Sequence, residues 1–156
     1  TPSNSSAASD VYKRQVYGVR GNGRILQNLA LDRIQSLEVL PQEHYIKNTF
    51  FDPNTFFDDL VGVTKNTGSV AEKVGFKVAA AEAPYIITKP IHRSQQVMER
   101  LADGSVILEI EVVINHELER VFFRYAEGIQ VLYPKTLVEL MGRKLKKAAE
   151  QYTHSK

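Results

Sequence analysis

The segment with the clearest chemical potential in this sequence is NLALDRIQSLEV, residues 28–39. Leu29 and Leu31 alternate as in a half-buried strand, and Arg33 takes the next position of that face. A guanidinium held on a strand can bind phosphate or carboxylate through two parallel hydrogen bonds. An arginine at a barrel rim, paired with Asp32 or a neighbouring carboxylate and covered by its own aliphatic stem, explains the position equally well. The residues alone leave both interpretations open.

Three other motifs have simpler structural explanations. GVRGNG (residues 18–23) is similar to a glycine-rich phosphate loop, but its strand–turn–strand context favours a hairpin. HELER (residues 116–120) differs from a zincin helix because Arg120 replaces the second histidine, which favours a capped first turn over a metal site. The C-terminal cations complement a helix dipole, with phosphate contact as the alternative; they are Arg143, Lys144, Lys146 and Lys147.

Composition excludes several classes of function. The 156 residues carry a net charge of +2, too small to indicate nucleic-acid binding by itself. The absence of cysteine excludes disulfides, thiolate metal sites and a cysteine nucleophile, and it favours a reducing, cytoplasmic setting. No apolar run approaches the roughly 18 residues that cross a bilayer, and no Ser/His/acid set is apparent. We therefore expect no enzyme, no metal, no cofactor and no membrane contact.

The first part of the chain predicts a fragment of a barrel. Residues 1–15 lack periodicity, resemble translated adapter sequence, and are expected to be disordered and foreign to the fold, with the native chain cut near Val16. Residues 16–49 predict a hairpin turning at residues 21–23, with a bulge or sharp bend where the apolar register changes at Asp32 and Arg33. Residues 50–69 predict a linker with a short helix that carries Phe56, Phe57 and Leu60.

Residues 70–156 predict a second domain. The spacing indicates strands over residues 73–79, 97–101, 106–113 and 129–133, and helices over residues 80–89 and from Asn115 to Gly128. A final helix is striped by Leu137, Met141, Leu145, Ala148 and Tyr152. The order βαββαβ predicts a ferredoxin-like layer with a C-terminal helix, so the fold class of the whole chain is α+β.

A ferredoxin-like fold can serve as a hydrolase or as an RNA reader. The acylphosphatase type needs an arginine in the loop after its first strand, and that loop is AAAEAP (residues 79–84) with no basic residue. The RNA-recognition type needs exposed aromatic residues on the central strands, and only Phe76 lies there, more typical of a core position. Fold analogy supports neither function.

Several stretches, taken together, resemble one family. ILQNLALDRIQSLEVL and YGVRGNGR resemble the closing strands of WYL domains, which end in Leu-Asp-Arg-Ile. FKVAAAEAPYIITKPIHRSQQV, LADGSVILEIEV and FRYAEGIQVLYPKTLVELM resemble the extension that follows WYL domains, including His-x-Ser-Gln at residues 92–95. The resemblance covers Val16 to about Tyr152. The chain departs from the family at residues 14–16, where the two aromatic residues of Trp-Tyr-Leu are missing, and at Gln27, where a basic residue is frequent.

The resemblance implies the effector half of a bacterial transcriptional regulator. Such proteins carry a helix-turn-helix upstream of an Sm-like (SH3-type) WYL barrel, are thought to bind a nucleic-acid or nucleotide-like ligand, and usually form homodimers. The implied ligand-facing residue is Arg33, which makes that interpretation the favoured one. Weaker candidates from the same hairpin are Tyr17, Arg20, Arg24 and Gln27. His92, Arg93 and Gln95 form either a second polar patch or a loop cap. The alternative function is an assembly module that binds no small ligand.

Overall fold

The computed structural model describes residues 15–20, 25–39, 41–42, 49, 51–52, 54–65 and 68–153. The chain divides into two compact units, Thr1–Phe50 (unit 1) and Phe51–Lys156 (unit 2). Residues 1–14 of the predicted foreign segment and the hairpin turn at residues 21–23 lie outside the described residues, whereas Gln15, the last residue of that segment, lies in a strand. Within the described residues, no helix has the length and apolarity that crossing a membrane requires.

Unit 1 contains the predicted hairpin. Strand β1 (Gln15–Arg20) pairs antiparallel with strand β2 (Ile25–Ala30), and Tyr17 lies opposite Asn28. The alternating side chains of the two strands account for this pairing, so the sequence prediction of two antiparallel strands is confirmed. Whether these strands close a barrel in a longer protein stays a prediction.

The backbone at Arg33 differs from the prediction. Leu31–Arg33 forms one turn of 3-10 helix, closed by the Ile34 amide donating to the Leu31 carbonyl at 3.3 Å. Residues 34–39 follow without regular secondary structure and are exposed. The prediction that a pleated strand holds Arg33 is therefore wrong, because a local turn replaces the ladder hydrogen bonds. The sharp bend predicted at Asp32 and Arg33 is confirmed by the same turn.

Unit 2 has the predicted ferredoxin-like topology. Its four strands form one antiparallel sheet in the spatial order β4-β5-β3-β6; they are β3 (Glu72–Val78), β4 (Gln96–Arg100), β5 (Val106–Val112) and β6 (Ile129–Tyr133). Helix α1 (Ala83–Thr88) follows β3 and helix α2 (His116–Tyr125) follows β5, which gives the order βαββαβ. Helix α3 (Lys135–Thr153) follows β6. The α+β class is confirmed.

One hydrophobic core holds the sheet and the three helices of unit 2 together. Alternate residues of β3 and β5 point into it; Val74, Phe76, Val78, Leu108 and Ile110 are all fully buried. The Phe76 ring packs at 5.2 Å, centroid to centroid, from the ring of Phe122 on α2. The apolar stripe of α3 joins this core only through its first turns, which contribute Leu137 and Met141. Further along, Leu145 is 41% and Tyr152 86% exposed, so the periodicity of α3 extends beyond its packing.

The segment before β3 is part of unit 2 and contributes Val61 to its core. Residues 54–59 form hydrogen-bonded turns instead of the predicted short helix. Residues 58–64, which we call the strap, begin within the last of these turns and include the buried side chains of Leu60 and Val61. No helix forms at this point because side chains from distant positions, described below, bind strap carbonyls that would otherwise accept hydrogen bonds within a helix.

Candidate functional site

The hairpin places its candidate ligand residues apart. Tyr17 and Asn28 are opposite one another, and the Asn28 amide nitrogen donates to the Tyr17 hydroxyl at 3.1 Å. Gln27 is opposite Gly18, so it points to the other face of the hairpin. Arg20 ends β1, and Arg24 lies outside the described residues. Tyr17 and Gln27 therefore do not form one site on this hairpin.

Arg33 is exposed at the end of the 3-10 turn. No carboxylate of the described residues lies within 4.0 Å of its guanidinium. The alternative in which Asp32 neutralises Arg33 has no support from these contacts. A guanidinium that forms no ion pair with a described residue, on an exposed turn, can offer its fork of donors to an anion.

His92 joins the loop after α1 to the strap. Its Nδ1 accepts from the Ser94 amide at 3.2 Å, so Nε2 carries the proton and donates to the Asp58 carbonyl at 2.9 Å. Partial burial, followed by the positive charge of Arg93, lowers the pKa of His92 against the raising effect of the bond to Asp58. The neutral imidazole is therefore the form that fits this loop.

The neighbouring polar residues also bind the protein. Gln95 accepts from the Ile91 amide and donates to the Ile86 carbonyl, both at 3.0 Å. Ser94 Oγ accepts from the Glu111 amide at 2.9 Å. Arg93 pairs with the Asp58 carboxylate at 2.7 Å, although its side chain is 66% exposed. These contacts favour the loop cap over a ligand patch at His92, Arg93 and Gln95.

The sheet face opposite the helices carries a charged network. Glu109 on β5 accepts from the Tyr133 hydroxyl at 2.7 Å and from Lys73 Nζ at 2.9 Å. These two bonds, that of Tyr133 first, lower the pKa of Glu109. The ring of Tyr133 lies over Gly75, where a Cβ would come within 2.1 Å of it. Its hydroxyl donates to the Glu109 carboxylate, and an acidic partner of this kind makes the face a poor platform for stacking nucleotide bases.

The start of α2 is a side-chain-capped first turn. Asn115 Oδ1 accepts from the Leu118 amide at 2.8 Å, which confirms the predicted N-cap. Glu119 is buried and pairs with Lys144 of α3, while His116 Nδ1 lies 3.5 Å from the Glu119 carboxylate. The described residues contain no group of three His, Asp or Glu side chains arranged to hold a metal ion.

Some structurally important contacts have no sequence signal. Asn115 is recognisable as a cap, but its bonds to the strap join residues more than 50 positions apart. Asn28 as the partner of Tyr17 follows only from the hairpin register, which fixes which residues face each other. The ion pair between Glu119 and Lys144 depends on how α2 and α3 pack, which a single sequence does not give.

The described architecture defines a ferredoxin-like α+β domain closed by a C-terminal helix. The family model of the WCX domain matches residues 71–149, just over half of the 156 residues. The chain therefore belongs to the WCX domain family. WCX is a WYL-associated C-terminal domain, which fits a WYL-type regulator and indicates a regulatory C-terminal domain. No curated protein matches the chain.

Proposed function

We propose that this chain is the effector region of a bacterial DNA-binding transcriptional regulator. In this proposal the hairpin of unit 1 belongs to a WYL barrel that binds a nucleic-acid or nucleotide-like anion. The WCX domain in unit 2 contributes to homodimerisation, and DNA is bound by a helix-turn-helix that precedes the effector region. The protein acts in the cytoplasm, without catalysis, cofactor, metal or membrane.

The observation that carries the proposal is the exposed Arg33 within the Leu-Asp-Arg-Ile motif. It has no ion pair with a described residue, and the same chain continues into a WCX domain. Arginine suits this role because its planar fork binds phosphate with two hydrogen bonds, which lysine does not reproduce. The hydroxyl of Tyr17, next to Asn28, supplies a further polar group on one face of the hairpin.

Regulation follows from linkage. If the ligand prefers one arrangement of the effector region, its binding shifts the population toward that arrangement and changes the DNA affinity of the regulator. Such regulation requires no catalytic group in the protein. It requires only that the ligand bind the two arrangements of the effector region with different affinities.

The test is the affinity of the chain for fluorescein-labelled short single-stranded DNA, measured by anisotropy. Replacing Arg33 by Ala removes a charge-assisted contact, which costs about 1.5–3 kcal/mol and weakens binding by about 10- to 150-fold. The affinity of Arg33→Lys should lie between those of wild type and Arg33→Ala, because lysine keeps the charge but lacks the planar fork of donors. Arg100→Ala is the matched control, since Arg100 is an exposed arginine of unit 2 with no ion pair to a described residue.

Equal affinity of wild type and Arg33→Ala would refute the role of Arg33. An equal loss in Arg100→Ala would show that binding responds only to total charge.

A second candidate is an assembly module without a small ligand. Strand β4 lies at the edge of the sheet, and Val97 and Met98 are 43% and 53% exposed there. Exposed edges and apolar patches are typical of surfaces that pair with another chain. Sedimentation would favour this candidate if the dimer persists unchanged over a range of DNA concentrations at which no binding is detected.

A further inference from the structure

The strap is bound to the rest of unit 2 by donors from two distant parts of the chain, His92 and residues 113–115. Asn115 Nδ2 donates to the carbonyls of Val61 and Thr64 at 2.9 and 3.0 Å. The Val113 amide donates to the Asp59 carbonyl at 2.8 Å, and His92 binds the Asp58 carbonyl. Four of the seven strap residues therefore have a backbone carbonyl that accepts a hydrogen bond from these donors.

The strap is in direct contact with the first turn of α2. Thr64 Oγ1 donates to the Glu117 carboxylate at 2.6 Å. Gly62 has φ +85°, and a Cβ at this position would come within 2.5 Å of Glu117 Cγ. Because Asn115 uses its oxygen to cap α2 and its nitrogen to bind the strap, the strap and the beginning of α2 share one buried side chain.

Helix α2 is in turn tied to α3. The buried carboxylate of Glu119 pairs with Lys144, one turn beyond the cap. Phe122 of α2 and Met141 of α3 belong to the same core cluster. A continuous set of close contacts therefore runs from the strap through Asn115 and α2 to the middle of α3.

We propose that the strap, Asn115, Glu117, Glu119 and Lys144 form a mechanical relay. The relay transmits a displacement of the chain that arrives from unit 1 to the α2–α3 pair. It rests on the proposed function in one respect, because ligand binding in unit 1 would be the natural source of that displacement. Closely packed elements unfold locally as cooperative units. Loosening the strap therefore changes the local unfolding of α2 and α3 together.

The relay is testable without any ligand. Thr64→Val removes the bond to Glu117 while keeping the shape of the side chain. One lost hydrogen bond should raise local opening about fivefold. Hydrogen exchange followed by mass spectrometry should therefore accelerate about fivefold in the strap and in residues 140–147. The matched control is Thr88→Val, which removes a threonine hydroxyl that binds the Pro84 carbonyl in α1.

A second pair of variants tests the link between the helices. In a Glu119→Gln background, Thr64→Val should still accelerate exchange in the strap but should no longer affect residues 140–147. Gly62→Ala alone, with Glu119 kept, is a stronger perturbation of the strap. It should accelerate hydrogen exchange in the strap and in residues 140–147 by more than Thr64→Val does.

Acceleration confined to the strap in the Thr64→Val variant would overturn the relay. Equal acceleration in Thr88→Val would overturn it as well, because the effect would then be global. Since no DNA is added, failure of the relay leaves the role of Arg33 to its own binding assay.

Discussion

Substitutions of Asn115 should separate two contributions to stability, that of the cap of α2 and that of the hydrogen bonds to the strap. It is 5% exposed and makes three hydrogen bonds, one to the Leu118 amide and two to strap carbonyls. Asn115→Ser keeps a capping oxygen but is too short to reach the strap. Two lost bonds at about 1 kcal/mol each predict a loss of about 2 kcal/mol in the free energy of unfolding. Asn115→Ala also loses the cap, which adds about 1 kcal/mol.

The assay is urea unfolding followed by circular dichroism at a helical wavelength, which reports on unit 2 because the described α-helices all lie there. Asn54→Ala is the control. Asn54 is exposed, and its side chain bonds to the neighbouring Asp52 carboxylate. The control should stay within about 0.5 kcal/mol of wild type. A Ser variant as stable as wild type would refute the reasoning, since the strap bonds would then contribute nothing.

Three further predictions concern stability. The folded state lowers the pKa of His92, so the unfolded state binds the proton more readily and unit 2 should lose stability as the pH falls below about 6.5. His92→Gln should weaken this pH dependence of the unfolding free energy, measured by urea titrations at several pH values. Gly75→Ala should displace the Tyr133 ring and cost about 1–3 kcal/mol, read by urea unfolding; a change below 0.5 kcal/mol would contradict the close contact. Leu137→Ala should cost about 2–5 kcal/mol, whereas Tyr152→Ala should be neutral; equal thermal shifts would contradict the burial pattern.

Local patterns in the sequence predicted unit 2 well. Val74, Phe76 and Val78 alternate with Gly75 and Lys77, and each of the three is buried as the pattern indicates. Asn115 before an apolar repeat predicted the start of α2, since the cap needs only neighbours three residues away. Short-range rules of this kind need no knowledge of the remaining fold.

The misplaced elements depend on distant partners or on their absence. The strap region was predicted to contain a helix because Phe56, Phe57 and Leu60 have helical spacing, yet side chains from beyond position 90 bind the strap instead. The alternation around Arg33 suggested a strand, but no neighbouring strand of the described residues extends the ladder there. Apolar spacing shows which face of a segment avoids water and does not show whether a partner is present.

The proposed ligand contact of Arg33 is tested most directly by the salt dependence of single-stranded DNA binding. Each phosphate contact contributes about 0.7 to the slope of log affinity against log salt concentration. The account predicts that Arg33→Ala lowers the affinity and reduces the magnitude of this slope by about 0.7, the contribution of one phosphate contact. Arg100→Ala should leave the slope unchanged. An identical slope for wild type and Arg33→Ala would contradict the account.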